Sequence, residues 1–249
     1  QVYSLRSNGV DSAADDLTGT RVQSDKPIAV IGGNECTQVP DGRTFCDHIY
    51  EQIQPNSTWG TTFITTPLAT RINGDRFRIL AQEASTDVSI NGAPVATLNA
   101  GEFFETVITG NGEINATKPV LVTQYSHSTQ WDGVLSDPFM LNVPPTDQFL
   151  ASYIVGTVDM IFNLGSQVNY LNFTSPTSAT GSVTLDGNPV VGWTAVGASG
   201  FSNASVQVAN GQHAVNSPLP VGLLVYGFSA VESYGYVGGQ SFSPVATVS

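Results

Sequence analysis

The stretches CDHIYEQIQPNSTWGTTF, residues 46–63, and SDPFMLNVPPTDQFLASY, residues 136–153, align in a single register offset by 90 residues. The aligned pairs are Asp47 and Asp137, Pro55 and Pro145, Trp59 and Phe149, and Phe63 and Tyr153. Upstream of each lies a second matching pair, TGTRVQSDKPIAVIGG with Lys26-Pro27 and NGEINATKPVLVTQYS with Lys118-Pro119. A third copy without the lysine, NGQHAVNSPLPVGLLVYGFS, surrounds Pro220. Self-similarity at a fixed period indicates a repeat architecture.

Within the repeat, apolar and polar residues alternate with the period of a β-strand. The segments VSINGAPV and VTLDGNPV place Asn91-Gly92 and Asp186-Gly187 between alternating apolar residues, a strong signal for two-residue hairpins. No window shows helical periodicity for more than about two turns. The sequence therefore predicts an all-β chain of consecutive antiparallel units near 90 residues, sandwich-like or blade-like, with little helix.

The repeat also predicts a division into three units. Residues 1–75 hold the back half of a first unit, residues 76–165 a complete second unit, and residues 166–249 most of a third. The opening strand and hairpin of the first unit are not in the sequence. Because repeat units bury a continuous core only when stacked, we expect the first unit to contact upstream residues of a longer protein or a partner chain.

Charge restricts the choice of partners. The chain carries 8 basic and 20 acidic residues, a net charge of −12, which argues against nucleic acid and against an anionic membrane surface. No apolar run is long enough to span a membrane. The acidic stretch Asp11, Asp15 and Asp16 lacks the spacing of an EF-hand loop. No cofactor is expected, the metal is unknown, and calcium binding is left open without an assigned place.

The two cysteines, Cys36 and Cys46, flank a Pro-Asp-Gly turn that starts at Pro40. A turn there brings both ends of the segment together, which favours a disulfide. Two free buried thiols are the alternative, while a metal site lacks ligands apart from His48. A disulfide places the protein outside the reducing cytosol, so we expect it to be extracellular or at the cell surface.

The run from Asp16 to Phe63 resembles the N-terminal domain of the IgG-Fc-binding protein family. The matching features are Ser24–Pro27, Gly32–Cys36, Cys46–His48, Gln54–Pro55 and Ser57–Gly60. Later segments extend the resemblance through about residue 155, after which it weakens. It implies a secreted or surface-exposed β-repeat module within a longer protein, used for adhesion or ligand capture, with the ligand unspecified.

Enzymatic chemistry finds little support in the sequence. Ser126 and His127 are adjacent, but neighbours on a strand point to opposite faces, and no Gly-Xaa-Ser-Xaa-Gly motif is present. Four carboxylates offer no spacing signal for glycoside hydrolysis: Asp47, Glu51, Asp132 and Asp137. We predict that the chain is not an enzyme, with a hydrolase as the weakest alternative.

Loops on a rigid scaffold often carry binding residues, so Trp131 and Asp132, in the polar loop HSTQWDGVLSDP, are the predicted ligand contacts. Trp59 recurs as an aromatic in the repeat and is expected in the core, whereas Trp193 suits either role. Four sequons permit glycosylation, at Asn56, Asn115, Asn172 and Asn203. The predicted function is an adhesion or ligand-binding module that takes a glycan or protein ligand on another surface. A purely structural stalk or assembly repeat is the alternative.

Overall fold

A computed structural model describes residues 2–7, 15–160, 167–230 and 232–243. The fold is all-β, as predicted, and within these ranges helix is confined to short 3-10 segments. The strands are β1 (Val30–Thr37), β2 (Asp47–Ile53), β3 (Gly60–Thr65), β4 (Asp75–Ala81), β5 (Thr86–Ile90), β6 (Ala93–Leu98), β7 (Phe103–Ile108), β8 (Gly112–Tyr125), β9 (Met140–Val143), β10 (Leu150–Gly156), β11 (Val168–Pro176), β12 (Thr184–Leu185), β13 (Asn188–Pro189), β14 (Thr194–Ala195), β15 (Phe201–Val208), β16 (Gln212–Phe228) and β17 (Ser233–Val237). The 3-10 segments are Asn56–Thr58, Thr129–Trp131, Thr146–Gln148 and Thr177–Ser182.

Strand β8 organises the middle of the chain. Its first half pairs antiparallel with β3 and β5, and its second half pairs with β4 and β9. The change of partners falls at Pro119, which has no N–H to give to a ladder, and β3 has a register shift between Gly60 and Thr62 at the same point. One long strand thus serves two sets of partners and curls the sheet.

Strand β16 repeats this arrangement. Its first half pairs with β10 and β12, and its second half pairs with β11 and β17. The register shift between Leu150 and Ser152 of β10 matches the shift in β3. A 3-10 turn that follows Pro55 precedes β3, and a 3-10 turn that follows Pro145 precedes β10. The predicted succession of antiparallel repeat units is confirmed.

The two hairpin turns have the predicted geometry. Asn91 and Gly92 have φ of 51° and 78°, and Asp186 and Gly187 have φ of 50° and 79°. Positive φ at both central residues defines the type I′ turn, whose twist matches that of the strands it joins. The local sequence is sufficient here because the turn residues alone select this geometry.

Strand pairing crosses the predicted unit boundaries. Strand β3 lies within residues 1–75 yet pairs with β8, and β10 lies within residues 76–165 yet pairs with β16. Each unit therefore supplies one strand to the sheet of the next. The division at residues 75 and 165 stays a prediction, and part of the third unit, residues 244–249, lies outside the described residues.

Two hydrophobic clusters form the core. One contains Phe77 and Ile79 of the second unit together with Leu224, Tyr226 and Phe228 of β16. The other combines residues of the third unit, such as Leu171 and Phe173, with Tyr153 and Val155 of β10. Because β16 contributes one face to each cluster, the second and third units share buried surface.

Candidate functional site

The disulfide joins Cys36 and Cys46, as predicted, with 5.2 Å between their Cα atoms. It closes the connection between β1 and β2, which form a separate two-stranded sheet. This sheet lies beside β9, where Asn142 donates a hydrogen bond of 3.3 Å to the carbonyl of Gln52. The disulfide therefore constrains the β1–β2 hairpin, which precedes the two larger units in the chain.

The structure places the predicted ligand contact Asp132 in an internal ion pair. Its Oδ2 lies 3.0 Å from Nε of Arg71, and both side chains are fully buried. The Arg71 guanidinium also donates to the carbonyl of His127 at 2.7 Å and to the hydroxyl of Ser136 at 2.8 Å. Asp132 thus holds its own loop to the loop after β3, so its carboxylate is turned away from solvent.

Trp131 is half-buried and engaged by protein groups. Its ring stacks on His127 with centroids 4.5 Å apart, and the Arg43 guanidinium lies 5.8 Å from its ring centroid. Its Nε1 donates to the carbonyl of Asn73 at 3.3 Å. A ligand contact by Trp131 stays a prediction, because only the solvent-facing part of the ring is open to one.

Ser126 and His127 do not form a nucleophile–base pair. Both are fully buried, and the Ser126 hydroxyl has no hydrogen-bond partner among the described residues. Burial lowers the pKa of His127 to about 4, and the charges of Arg71 and Arg76 add to this. The ring is therefore neutral at physiological pH and serves as a flat surface for Trp131.

His213 has a structural partner. Its Nδ1 lies 2.7 Å from the Asp186 carboxylate, and its Nε2 lies 3.0 Å from the carbonyl of Ala209. Burial lowers the pKa of His213, but the hydrogen bond and charge of Asp186 outweigh burial, so the pKa is raised. This pair ties the β12–β13 turn to β16.

Carboxylates at the start of three equivalent strands lie near one another. Asp47 opens β2, Asp137 precedes β9 and Glu232 precedes β17. Burial raises the pKa of Asp137 to about 6, and the charges of Asp47 and Glu232 contribute. Glu232 thus joins the aligned pair Asp47 and Asp137 as a third acidic residue. The three carboxylates form an acidic column across the units.

No group of three or more His, Cys, Asp or Glu within the described ranges is spaced to hold a metal ion. Of the acidic stretch near the start, Asp16 pairs with Arg78 at 2.8 Å, while Asp11 lies outside the described residues. Calcium binding therefore stays a prediction without an assigned place.

Replacing Asp137 with asparagine is expected to stabilise the protein at neutral pH. The pKa of Asp137 is raised on folding, so its contribution to stability declines as pH rises from about 4 through about 6, where the buried carboxylate becomes charged. Since the group is partly exposed, we expect Tm to rise by only about 1–2 °C at pH 7.5 and the two proteins to converge near pH 4. Thermal scans across this pH range measure the effect.

The matched control is Asp41→Asn, in the exposed turn of the disulfide loop. It is expected to leave Tm unchanged at both pH values. A Tm of Asp137→Asn below that of the parent protein at pH 7.5 would contradict the effect of neighbouring carboxylates. Repeating the scans with calcium would reveal any cation that the column binds.

A cleft of about 310 Å³ lies between the end of β2 and the segment that follows β17. Its walls are Glu51–Pro55 on one side and Val237, Gly239, Gln240 and Phe242 on the other. The second wall is anchored, because Ser241 donates from its N–H to the Gln148 carbonyl at 2.9 Å and from its hydroxyl to Gln148 Oε1 at 2.7 Å. These two hydrogen bonds therefore hold the second wall of the cleft to the 3-10 turn before β10.

Two polar side chains in this cleft are poorly solvated. Gln240 is 8% exposed, and its Oε1 has no hydrogen-bond partner among the residues that the structure describes. Burial raises the pKa of Glu51 to about 7. A buried unpaired acceptor costs about 1–3 kcal/mol, which a donor on a ligand would recover if the Gln240 side chain turned into the cleft.

Phe242 supplies an apolar surface at the rim. Its side chain is 54% exposed, and its backbone φ of 51° is unusual for a bulky residue. Such strain persists only where the surroundings impose it, and it is enriched at binding sites. An exposed ring beside an unpaired acceptor suits a ligand with both apolar and hydrogen-donating groups.

No sequence pattern singles out Gln240 or Phe242, and Glu51 stands out only as one of four carboxylates. Neither residue carries a motif, and the two walls of the cleft are distant in the chain. The repeat offered one usable signal, since it makes β2 and β17 equivalent strands on either side of β9. That signal predicts proximity of the strands but not the fold of the segment after β17.

Two of the four sequons are closed to modification in the folded chain. Asn172 and Asn203 are buried and donate through Nδ2 to the carbonyls of Pro67 and Thr65. Asn56 is exposed, in the 3-10 turn before β3. A glycan at Asn56 would lie next to Pro55 at the edge of the cleft.

No helix among the described residues is long and apolar enough to cross a membrane. The chain is a disulfide-bonded, antiparallel β-repeat protein with a surface cleft. Residues 1–227 match the family model described as IgGFc binding protein. The chain belongs to this family.

The human IgGFc-binding protein is 26% identical over 228 residues, which cover 88% of this chain and 4% of the human protein. Among solved structures, Faecalibacterium prausnitzii β-glucuronidase aligns over 88% of this chain and 47% of its own, at 12% identity and a TM-score of 0.20. The FMN-binding β-glucuronidase of strain L2-6 aligns over 85% and 39%, at 10% identity and a TM-score of 0.19. At TM-scores this low, neither structure bears on fold or function.

Proposed function

We propose that this chain is an extracellular binding module that captures a protein ligand in the cleft between β2 and the segment after β17. The observation that carries the proposal is the Oε1 of Gln240, buried at the cleft and unpaired among the described residues, on a wall that Ser241 anchors to Gln148. Membership of a family described by binding to IgG Fc supports a protein ligand, and the disulfide supports an extracellular setting.

The chemistry of the cleft supports a ligand that donates hydrogen bonds. If the buried side chain of Gln240 turned into the cleft, a backbone or side-chain N–H of the ligand would satisfy its Oε1, and an apolar group of the ligand would cover Phe242. Since the pKa of Glu51 lies near 7, its charge changes between about pH 6 and pH 8. Binding is therefore expected to depend on pH in this range.

The experiment measures binding of the immobilised chain to IgG Fc fragment, the probe suggested by the human relative's name, and to a glycan array. For whichever probe binds the parent protein, Gln240→Ala is expected to weaken binding at least about tenfold, or about 1.4 kcal/mol. Glu51→Gln is expected to remove the pH dependence. The control is Ile154→Ala, an exposed side chain on β10.

Thermal scans of each variant separate loss of binding from loss of folding. Equal affinity of the parent protein and Gln240→Ala would contradict the assignment of the cleft. If neither probe binds the parent protein, the proposed binding function is wrong for these ligand classes.

An assembly repeat is the second candidate function. The favouring observation is the column of equivalent strands β2, β9 and β17, in which Asn142 of β9 bonds to β2 and Ser233 of β17 bonds to the carbonyl of Asp137 before β9. Stacked units of this kind suit a stalk. If the chain serves only as an assembly repeat, Gln240→Ala and Glu51→Gln would leave probe binding unchanged.

A further inference from the structure

The β1–β2 pair has the same register as the pair formed by β9 and the second half of β8. Val30 pairs with Ile53, and Val122 pairs with Val143. Both valines stand at the same distance after a Lys-Pro dipeptide, and both partners stand at the same distance before the aligned prolines of the repeat. Strand β1 is therefore the counterpart of β8 in the first unit.

In the second and third units, this central strand is paired on both sides. The second half of β8 lies between β4 and β9, and the second half of β16 lies between β11 and β17. Over residues 2–7, 15–160, 167–230 and 232–243, β1 pairs with β2 and with no other strand. Its second edge corresponds to the edge that β4 and β11 occupy in the other units.

Side-chain exposure at equivalent positions shows that β1 lacks the cover that a second neighbouring strand gives to β8. Ile31 of β1 is 70% exposed, whereas Thr123 at the same position in β8 is 7% exposed. An exposed strand edge beside apolar side chains is a ready template for another strand.

We infer that the open edge of β1 binds the opening strand of another repeat unit, a strand of the same kind as β4 and β11, added antiparallel. The continuity of the repeat identifies this occupant, because the equivalent interface is filled by such a strand twice within the chain. A second copy of the chain is disfavoured, since its β4 and β11 are already paired on both sides. The chemistry is strand addition, with main-chain hydrogen bonds for affinity and alternate side chains for register.

The test uses the whole chain and a synthetic peptide, VNYLNFTSP, which copies β11 (Val168–Pro176). We expect saturable binding of one peptide per chain, measured by fluorescence anisotropy, and slower hydrogen exchange over residues 30–37. A peptide of the same composition in scrambled order should do neither. Ile31→Lys is expected to weaken peptide binding at least about tenfold, because lysine on an edge strand opposes pairing.

Ile72→Lys is the matched control, since Ile72 is 75% exposed and lies outside β1. It should bind the peptide like the parent protein. The inference is overturned if the peptide leaves hydrogen exchange at residues 30–37 unchanged, or if the scrambled peptide protects them equally. It is also overturned if light scattering shows a dimer that Ile31→Lys converts to monomer, because the edge would then belong to a second copy.

Discussion

Replacing Arg71 with leucine is expected to lower the free energy of unfolding by about 3–5 kcal/mol. The Arg71 side chain is fully buried, and its guanidinium pairs with Asp132 at 3.0 Å while bonding to His127 and Ser136. Its removal leaves the Asp132 carboxylate buried without a counter-charge. Urea denaturation at constant pH measures the loss.

The loss should increase with pH because of Asp75. Burial raises the pKa of this carboxyl to about 7, and Arg71 is among the groups that oppose the rise. Without Arg71, the charged form of Asp75 is less stable still, so stability should fall further as pH rises from about 6 to 8.

The control is the double variant Arg71→Leu, Asp132→Leu. Because removing both charges avoids an isolated buried carboxylate, its loss should be smaller than the sum of the two single losses. Additive losses, or a loss below about 1 kcal/mol for Arg71→Leu, would contradict a coupled buried pair.

Replacing Tyr226 with alanine is expected to cost about 3–5 kcal/mol and to separate the unfolding of the two larger units. Tyr226 is fully buried, and its hydroxyl accepts from the N–H of Ala69 at 2.8 Å and donates to Asn172 at 2.9 Å. Its ring stacks on Tyr170 and belongs to the core cluster of the second unit. One side chain therefore connects β16 to the unit before it.

Calorimetry distinguishes loss of stability from loss of coupling. We expect one transition for the parent protein and two for Tyr226→Ala. Phe173→Ala is the matched control, because Phe173 is equally buried but lies in the other hydrophobic cluster. It should lose similar stability with less change in coupling. A single transition for Tyr226→Ala, with a midpoint close to that of the parent protein, would contradict this role.

The main features of the fold could be predicted because they depend on local pattern. Alternation identifies strands, Asn-Gly and Asp-Gly select type I′ turns, and the aligned Pro55 and Pro145 precede equivalent 3-10 turns. The disulfide followed from a turn between two cysteines. The strand exchange between units was not predicted, since alternation reveals the apolar face of β3 or β10 but not which edge it joins.

The candidate site was much less accessible to sequence reasoning. Trp131 and Asp132 lie in a polar loop, and the sequence offered no indication that a distant arginine would draw the carboxylate inside. In the sequence, Gln240 resembles any polar residue in a glycine-rich segment; only the structure shows its Oε1 buried with no partner among the described residues.

The sequence by itself determined the class of fold, the repeat, the turns and the disulfide, because each depends on residues close in the chain or on their periodic recurrence. Only the tertiary structure decided which strand edges are filled, which carboxylates are buried and where a cleft opens. These features depend on desolvation and on hydrogen-bond partners brought together from distant segments, and so the open edge of β1 and the unpaired Gln240 became visible only in three dimensions.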